Sequence, residues 1–279
     1  MKQIIDIFHS SHYKISATYY KASSPENSLL IYLHGGGLIF GGREDLDQDY
    51  LELLTDNGYS ILALDYLLAP ENNLDEIIRI LVKTLEWYQD KGYLIVGQKD
   101  PFYYLFGRSA GAYLALQLIS RMSSNWIKGI ISFYGYYKLN DANFLYPSPH
   151  YLNSAKVSKE LIKTFIQSHP IVNGNQSERY LIYLYCRQVG SWIDFLTDSP
   201  QDFSLSKEQI KNIPPTLLVH SDKDPDVPFQ QSKQINQLAK ESILIKVPST
   251  LHDFDRTDKT KGLEIYQQVI QWLSNHSAH

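Results

Sequence analysis

The pentapeptide Gly107-Arg108-Ser109-Ala110-Gly111 constrains the fold of this chain more than any other segment. It follows an apolar stretch, Phe102 to Phe106, and precedes a helical pattern from Tyr113 to Met122. A strand must therefore turn sharply into a helix, and glycines on both sides allow close backbone approach where a Cβ would clash. G-x-S-x-G between strand and helix is the pattern of a nucleophile elbow. The turn lifts the Ser109 hydroxyl clear of the strand ends and leaves the N–H of Ala110 free at a helix N-terminus, facing a developing oxyanion. An ordinary glycine-rich strand-to-helix turn carries the same pattern, so the rest of the chain has to decide between the two.

The rest of the chain alternates strand and helix patterns. Gln3 to Phe8 and Tyr13 to Lys21 read as antiparallel strands of a meander. Leu29 to Leu33 is a strand that breaks into a glycine-rich loop. Leu46 to Asn57 is helical, with Asn57-Gly58 as its stop signal. Ser60 to Asp65 is a buried strand, and apolar residues recur at helical spacing from Leu74 to Trp87. After the elbow come strands at Lys128 to Phe133, Thr216 to Val219 and Ile243 to Val247, then a closing helix from Gly262 to Leu273. Near-continuous apolar strands alternating with helices predict an α/β fold with a mostly parallel sheet covered on both faces.

One interval breaks the rhythm. Residues 139–212 hold no convincing buried strand but carry helical patches, notably Lys159 to Gln167 and Glu178 to Arg187. We expect an inserted helical cap here, with residues 1–138 and 213–279 forming the core. Lying between two sheet strands, it should cover their carboxyl ends, where ligands bind in such folds.

Composition narrows the function classes. A chain of 279 residues, 43% hydrophobic, is long enough for one large core or one domain with an insertion. A net charge of -4 with scattered lysines and arginines gives no electrostatic case for nucleic acid. The one cysteine, Cys186, cannot form an internal disulfide, which fits a reduced compartment. The first residues lack a signal-peptide pattern, and no apolar run is long enough to span a bilayer, so the expected location is cytoplasmic. No Cys/His set has metal spacing, and no cofactor is expected.

The remaining chemistry lies in three loops. His34-Gly35-Gly36-Gly37 follows a strand upstream of the elbow. Glycines there let backbone N–H groups approach a substrate oxygen, so Gly35 and Gly36 join Ala110 as expected oxyanion donors. A phosphate-cradling loop would need a Lys-Ser/Thr pair that is missing. His34 precedes the serine and reads as a loop-organising residue. A serine nucleophile needs a histidine base and an orienting acid, following in the order acid then histidine. The segment after Val219 offers Asp222, Asp224 and Asp226. The Asp-Pro step before Val227-Pro228 favours Asp224, with Asp222 next and Asp226 weakest. Their spacing also suggests a calcium loop, but Val227 stands where glycine is needed and Lys233 where the bidentate glutamate belongs. His252, on the loop after the next strand, is the histidine in the right place. Leu38, Ile39 and Phe40, just past the glycine loop, either wall an apolar acyl pocket or pack under the cap.

The glycine loop with Gly41, the run Asp65-Tyr66-Leu67-Leu68-Ala69-Pro70-Glu71 and the elbow together resemble the hormone-sensitive lipase-like branch of the α/β-hydrolases. The resemblance covers nearly the whole chain outside the cap. It implies an eight-stranded, mostly parallel sheet and a Ser109–His252–Asp224 triad. It further implies hydrolysis of carboxylic esters with short acyl chains, a small-molecule substrate and no cofactor. The chain departs from the family pattern at Arg108, where an aspartate is usual, and at Leu67, where an arginine is usual. Arg108 is therefore a candidate substrate contact. Two other readings are compatible with the pattern. An amidase, formamidase or peptidase would share the carbonyl chemistry, and kynurenine formamidases are similar in the His-Gly-Gly region. A non-catalytic binding protein on the same scaffold is the other, as in plant gibberellin receptors, which lack the histidine retained here as His252.

Overall fold

The computed structural model describes residues 2–23 and 28–276. Eight strands form one sheet: β1 (Lys2–His9), β2 (Lys14–Tyr20), β3 (Ser28–Leu33), β4 (Tyr59–Leu64), β5 (Tyr103–Arg108), β6 (Ile127–Phe133), β7 (Thr216–Ser221) and β8 (Ser242–Val247). Their spatial order is β1-β2-β4-β3-β5-β6-β7-β8. The first two strands pair antiparallel with each other, and β2 pairs antiparallel with β4. Every pair from β4 to β8 is parallel, so the loops after β3, β5, β6, β7 and β8 all emerge at one edge.

The period of two in the strands explains the two buried layers. On β3 and β5, Leu29, Ile31, Leu33, Tyr103 and Leu105 face one layer, with the helices Leu74–Trp87 and Ala110–Ile119. Leu30, Tyr32, Tyr104 and Phe106 face the other, with Gln48–Asp56 and Lys259–His276. Local signals set the helix ends. Asp47 and Asn73 each accept a backbone N–H of the first turn of their helices. The elbow helix begins at Ala110, three residues before the apolar pattern suggests, because small residues open it without contributing to the period. The closing helix extends beyond the expected span, and the helix at Lys159 is shorter, ending at Lys163.

Between β6 and β7 no strand occurs among the described residues. Short helices and turns surround one longer helix, Gln176–Val189, closed by Gly190 in the left-handed conformation. The buried side chains of this stretch, including Ile182, Tyr183 and Trp192, join the same apolar cluster as Tyr113 and Leu114 of the elbow helix. No described helix is long and apolar enough to cross a membrane.

Candidate active site

The elbow carries the backbone stress its glycines permit. Ser109 sits at φ 52°, ψ −116°, between β5 and the helix Ala110–Ile119. A Cβ on Gly107 would lie 2.3 Å from the Ala112 nitrogen, and one on Gly111 only 2.0 Å from the Leu33 carbonyl oxygen. The serine is pinned by its own N–H, which donates to Phe133 O at 2.8 Å, and by its carbonyl, which accepts from Tyr113 at 3.1 Å. Ala110 is the first residue of the helix, so its N–H has no intrahelical acceptor.

The loops after β7 and β8 bring the partners. Ser109 Oγ lies 2.8 Å from His252 Nε2, and His252 Nδ1 lies 2.7 Å from Asp224 Oδ2. Asp224 is fully enclosed, whereas 16% of the His252 side chain is exposed. The other carboxylate oxygen of Asp224 accepts the N–H groups of Asp226 and Val227 at 2.8 and 2.9 Å. Burial opposes the charge on Asp224, but His252 and the hydrogen bond from His220 hold its pKa well below the usual carboxylate value. Burial likewise opposes a charged His252, and the Asp224 carboxylate outweighs it, raising the imidazole pKa above its ordinary value.

The three candidate aspartates separate. Asp222 reaches outward to Lys246 at 3.2 Å. Asp226 accepts from Tyr183 Oη at 2.9 Å and pairs with Arg187 at 3.1 Å. Only Asp224 meets His252. His34 is buried, donates from Nδ1 to Gly35 O at 2.7 Å and stacks on Tyr66, holding the loop from beneath.

Gly35 lies beside Ser109: a Cβ on it would stand 3.4 Å from the Ser109 Cβ. Gly36, at φ 111°, has no room for a side chain, since a Cβ there would lie 2.0 Å from Phe40 O. Gly35, Gly36, Ser109 and His252 line a cavity of about 770 Å³, walled by Phe40, Tyr134, Tyr151, Tyr180, Tyr183 and Leu251. Of the apolar trio after the loop, only Phe40 faces this cavity. Leu38 and Ile39 are wholly buried in the core and do not form an acyl pocket. The turn closed by the Ile39 and Phe40 N–H groups on Gly36 O curls them beneath the loop.

Arg108 also needs correcting as a substrate contact. It borders the cavity floor, but its side chain is 2% exposed and turned away. The guanidinium pairs with Asp255 at 3.0 Å, donates from Nε to Tyr134 Oη at 2.8 Å and lies 3.8 Å from Asp45. Tyr134 in turn donates to Asp255 at 2.8 Å, and its ring stands 4.7 Å from that of His252. The unusual charge beside the serine is thus consumed inside the protein.

Sequence reasoning missed several supporting residues. His220, buried at the end of β7, has Nε2 within 3.2 Å of Asp224 Oδ2 and 3.1 Å of Val227 O. Two acceptors at one nitrogen require the proton there, so His220 donates to the acid. The site also includes Tyr134, Asp255, Tyr183 and Arg187, whose local sequence carries no motif. Only the position of Tyr134, at the carboxyl end of a parallel strand, was a signal. Among the described residues no group of three or more His, Cys, Asp or Glu side chains is arranged to hold a metal ion.

The chain belongs to the α/β-hydrolase-fold family, whose model matches residues 30–256. It is similar to an α/β-hydrolase superfamily protein from Enterococcus faecalis, with 31% identity over 99% of both chains and a TM-score of 0.83. A Staphylococcus aureus protein of unknown function is 29% identical over 98% of both chains, with a TM-score of 0.86. A probable carboxylesterase M8 from a Phoma species is 24% identical over 92% of this chain and 88% of its own length. An acetyl esterase from Salmonella schwarzengrund is 27% identical over 46% of this chain and 41% of its own.

Proposed function

We propose that this chain is a serine hydrolase that cleaves carboxylic esters with short acyl chains through an acyl-enzyme intermediate. The observation that carries this reading is the continuous path from Ser109 Oγ through His252 to Asp224, with steps of 2.8 and 2.7 Å. Similarity to a probable carboxylesterase and to an acetyl esterase supports esters as the acyl donor.

Ser109 Oγ attacks the ester carbonyl carbon as its proton passes to His252 Nε2. Asp224 accepts from Nδ1, which keeps the Nε2 lone pair toward the serine and stabilises the imidazolium. The oxyanion takes hydrogen bonds from the N–H groups of Gly35, Gly36 and Ala110. Each such donor contributes about 2.7–4 kcal/mol to the transition state. The carbon–oxygen bond to the alcohol then breaks, and His252 gives its proton to the departing alkoxide. Water repeats the attack, losing its proton to His252, and the carboxylic acid leaves as Ser109 is reprotonated. The acyl group sits by the aromatic wall of Phe40, Tyr180 and Tyr183, and the inserted helical segment 139–212 covers the site as its cap.

A fluorophosphonate probe tests the assignment. It should label the wild type and not Ser109→Ala, and p-nitrophenyl acetate and butyrate should be cleaved faster than long-chain esters. Absence of labelling, or equal labelling of Ser109→Ala, would favour a non-catalytic binding protein. Faster turnover of N-formylkynurenine or aminoacyl anilides would favour the amidase reading.

A further inference from the structure

The loop expected to carry the oxyanion donors does not hold its own shape. Gly36, Gly37, Leu38 and Gly41 all have positive φ, at 111°, 59°, 65° and 98°. Leu38 is not a glycine, and such a conformation persists only where the surroundings over-determine it. Within the loop, Gly35 O accepts from His34 Nδ1 and Gly36 O from the N–H groups of Ile39 and Phe40. From the core, Tyr66 Oη donates to His34 O at 2.8 Å and Ala69 N–H to Leu38 O at 2.8 Å, which leaves the carbonyls of Gly37, Ile39 and Gly41 to other partners.

Three side chains of the inserted segment take the alternate carbonyls. Trp192 Nε1 donates to Gly37 O at 2.9 Å. Arg179 Nε donates to Ile39 O at 2.9 Å, with its guanidinium fixed by both oxygens of Glu71 at 2.6 and 2.9 Å. Gln176 reads both groups of Gly41, accepting its N–H at 2.7 Å and donating to its carbonyl at 3.1 Å. The Tyr183 ring closes over Gly37, where a Cβ would lie 2.3 Å from it. The same helix reaches the other side of the site. Tyr183 and Arg187 hold Asp226, whose N–H donates to Asp224.

We infer that Gln176, Arg179 and Trp192 are positioning residues that hold the oxyanion loop, and that the inserted segment is a fixed wall of the site, not a hinged lid. A carbonyl left without its donor allows its peptide plane to rotate. The N–H groups of Gly35 and Gly36 then drift from the place where charge develops, while the ground-state pocket keeps its lining. The catalytic consequence rests on the proposed roles of Gly35 and Gly36; the mechanical claim does not.

The test is Trp192→Phe, which removes the Nε1 donor and keeps an aromatic ring against Tyr136, Phe144 and Tyr183. Hydrogen exchange at Ile39, Phe40 and Gly41 should accelerate about tenfold, with the elbow helix Ala110–Ile119 unchanged. With p-nitrophenyl acetate, kcat should fall about tenfold, with KM within about twofold and the acid limb of the pH profile unmoved. Unchanged exchange in the loop, or equal acceleration in loop and elbow helix, would overturn the inference. Gln176→Leu alters an exposed residue and keeps the test open if Trp192→Phe does not fold; it should give the same pattern at about threefold. If the wild type cleaves no ester, the exchange pattern still decides the mechanical claim, and it is the reading of Ser109 that fails.

Discussion

Replacing Arg108 with methionine should destabilise the protein severely while leaving its preference between anionic and neutral esters unchanged. Asp255 has no exposed side-chain surface, and among the described residues Arg108, 3.0 Å away, is its one cationic partner. After the change its carboxylate keeps only the hydroxyls of Tyr134, at 2.8 Å, and Tyr266, at 3.4 Å. Asp45 loses a neighbour at 3.8 Å but retains Arg256. Removing one partner of a buried ion pair costs about 3–5 kcal/mol, because the remaining charge stays desolvated. Typical folding stabilities are about 5–15 kcal/mol, so this is a large fraction. At about 2–4 °C per kcal/mol, the melting temperature should fall by roughly 6–20 °C. Urea unfolding followed by circular dichroism measures the loss. Adding Asp255→Asn removes the orphaned charge and should recover at least about 2 kcal/mol. A single variant within about 1 kcal/mol of wild type, or a double variant no more stable than the single one, would refute the account. A selective rise in KM for anionic esters at unchanged stability would instead return Arg108 to substrate binding.

The acid side carries a second prediction. The base must be neutral, and a raised His252 pKa keeps the imidazolium to higher pH, so kcat/KM should climb above about pH 6.5, the ordinary imidazole value. Asp224→Asn should lower that limb and reduce kcat by roughly 10³–10⁴-fold, whereas Asp222→Asn should stay within about twofold, since it loses only a surface pair to Lys246. A wild-type limb at or below that value would contradict the role of Asp224. Gly111→Ala should cost about 3 kcal/mol or more, because its Cβ would meet the Leu33 carbonyl at 2.0 Å, while Gly42→Ala, with nothing within 4 Å, should change stability by about 0.5 kcal/mol or less. Thermal melts of the two variants distinguish the steric argument from a general intolerance of substitution.

Much of this architecture is written in short stretches of chain. The period of two in β3 and β5 and the helical period from Leu74 to Trp87 each declare an element within a few residues, because burial repeats with backbone geometry. The glycines around Ser109 and at Gly36 are legible for the same reason: each answers a clash with a nearby backbone atom. Chain order then placed an acid and a histidine in successive loops after parallel strands, and these loops share one edge of the sheet.

Which groups meet across that edge was beyond local reading. Asp222, Asp224 and Asp226 alternate along one short loop, and their partners are Lys246, His252 and Arg187, on three separate elements. The charge of Arg108 is taken up by Asp255, 147 positions away in sequence. Leu38 and Ile39 carry the composition of a pocket wall, yet the left-handed turn at Gly36 and Gly37 folds them inward. The bonds from Gln176, Arg179 and Trp192 to the glycine loop leave no pattern in the sequence, since a backbone carbonyl accepts from any donor brought within reach. The strands, the elbow and the order of serine, aspartate and histidine along the chain are legible locally, because sterics and periodicity act over a few residues. Which carboxylate meets His252, where the charge of Arg108 goes and which side chains bond the glycine loop depend on distances set by the whole packed chain.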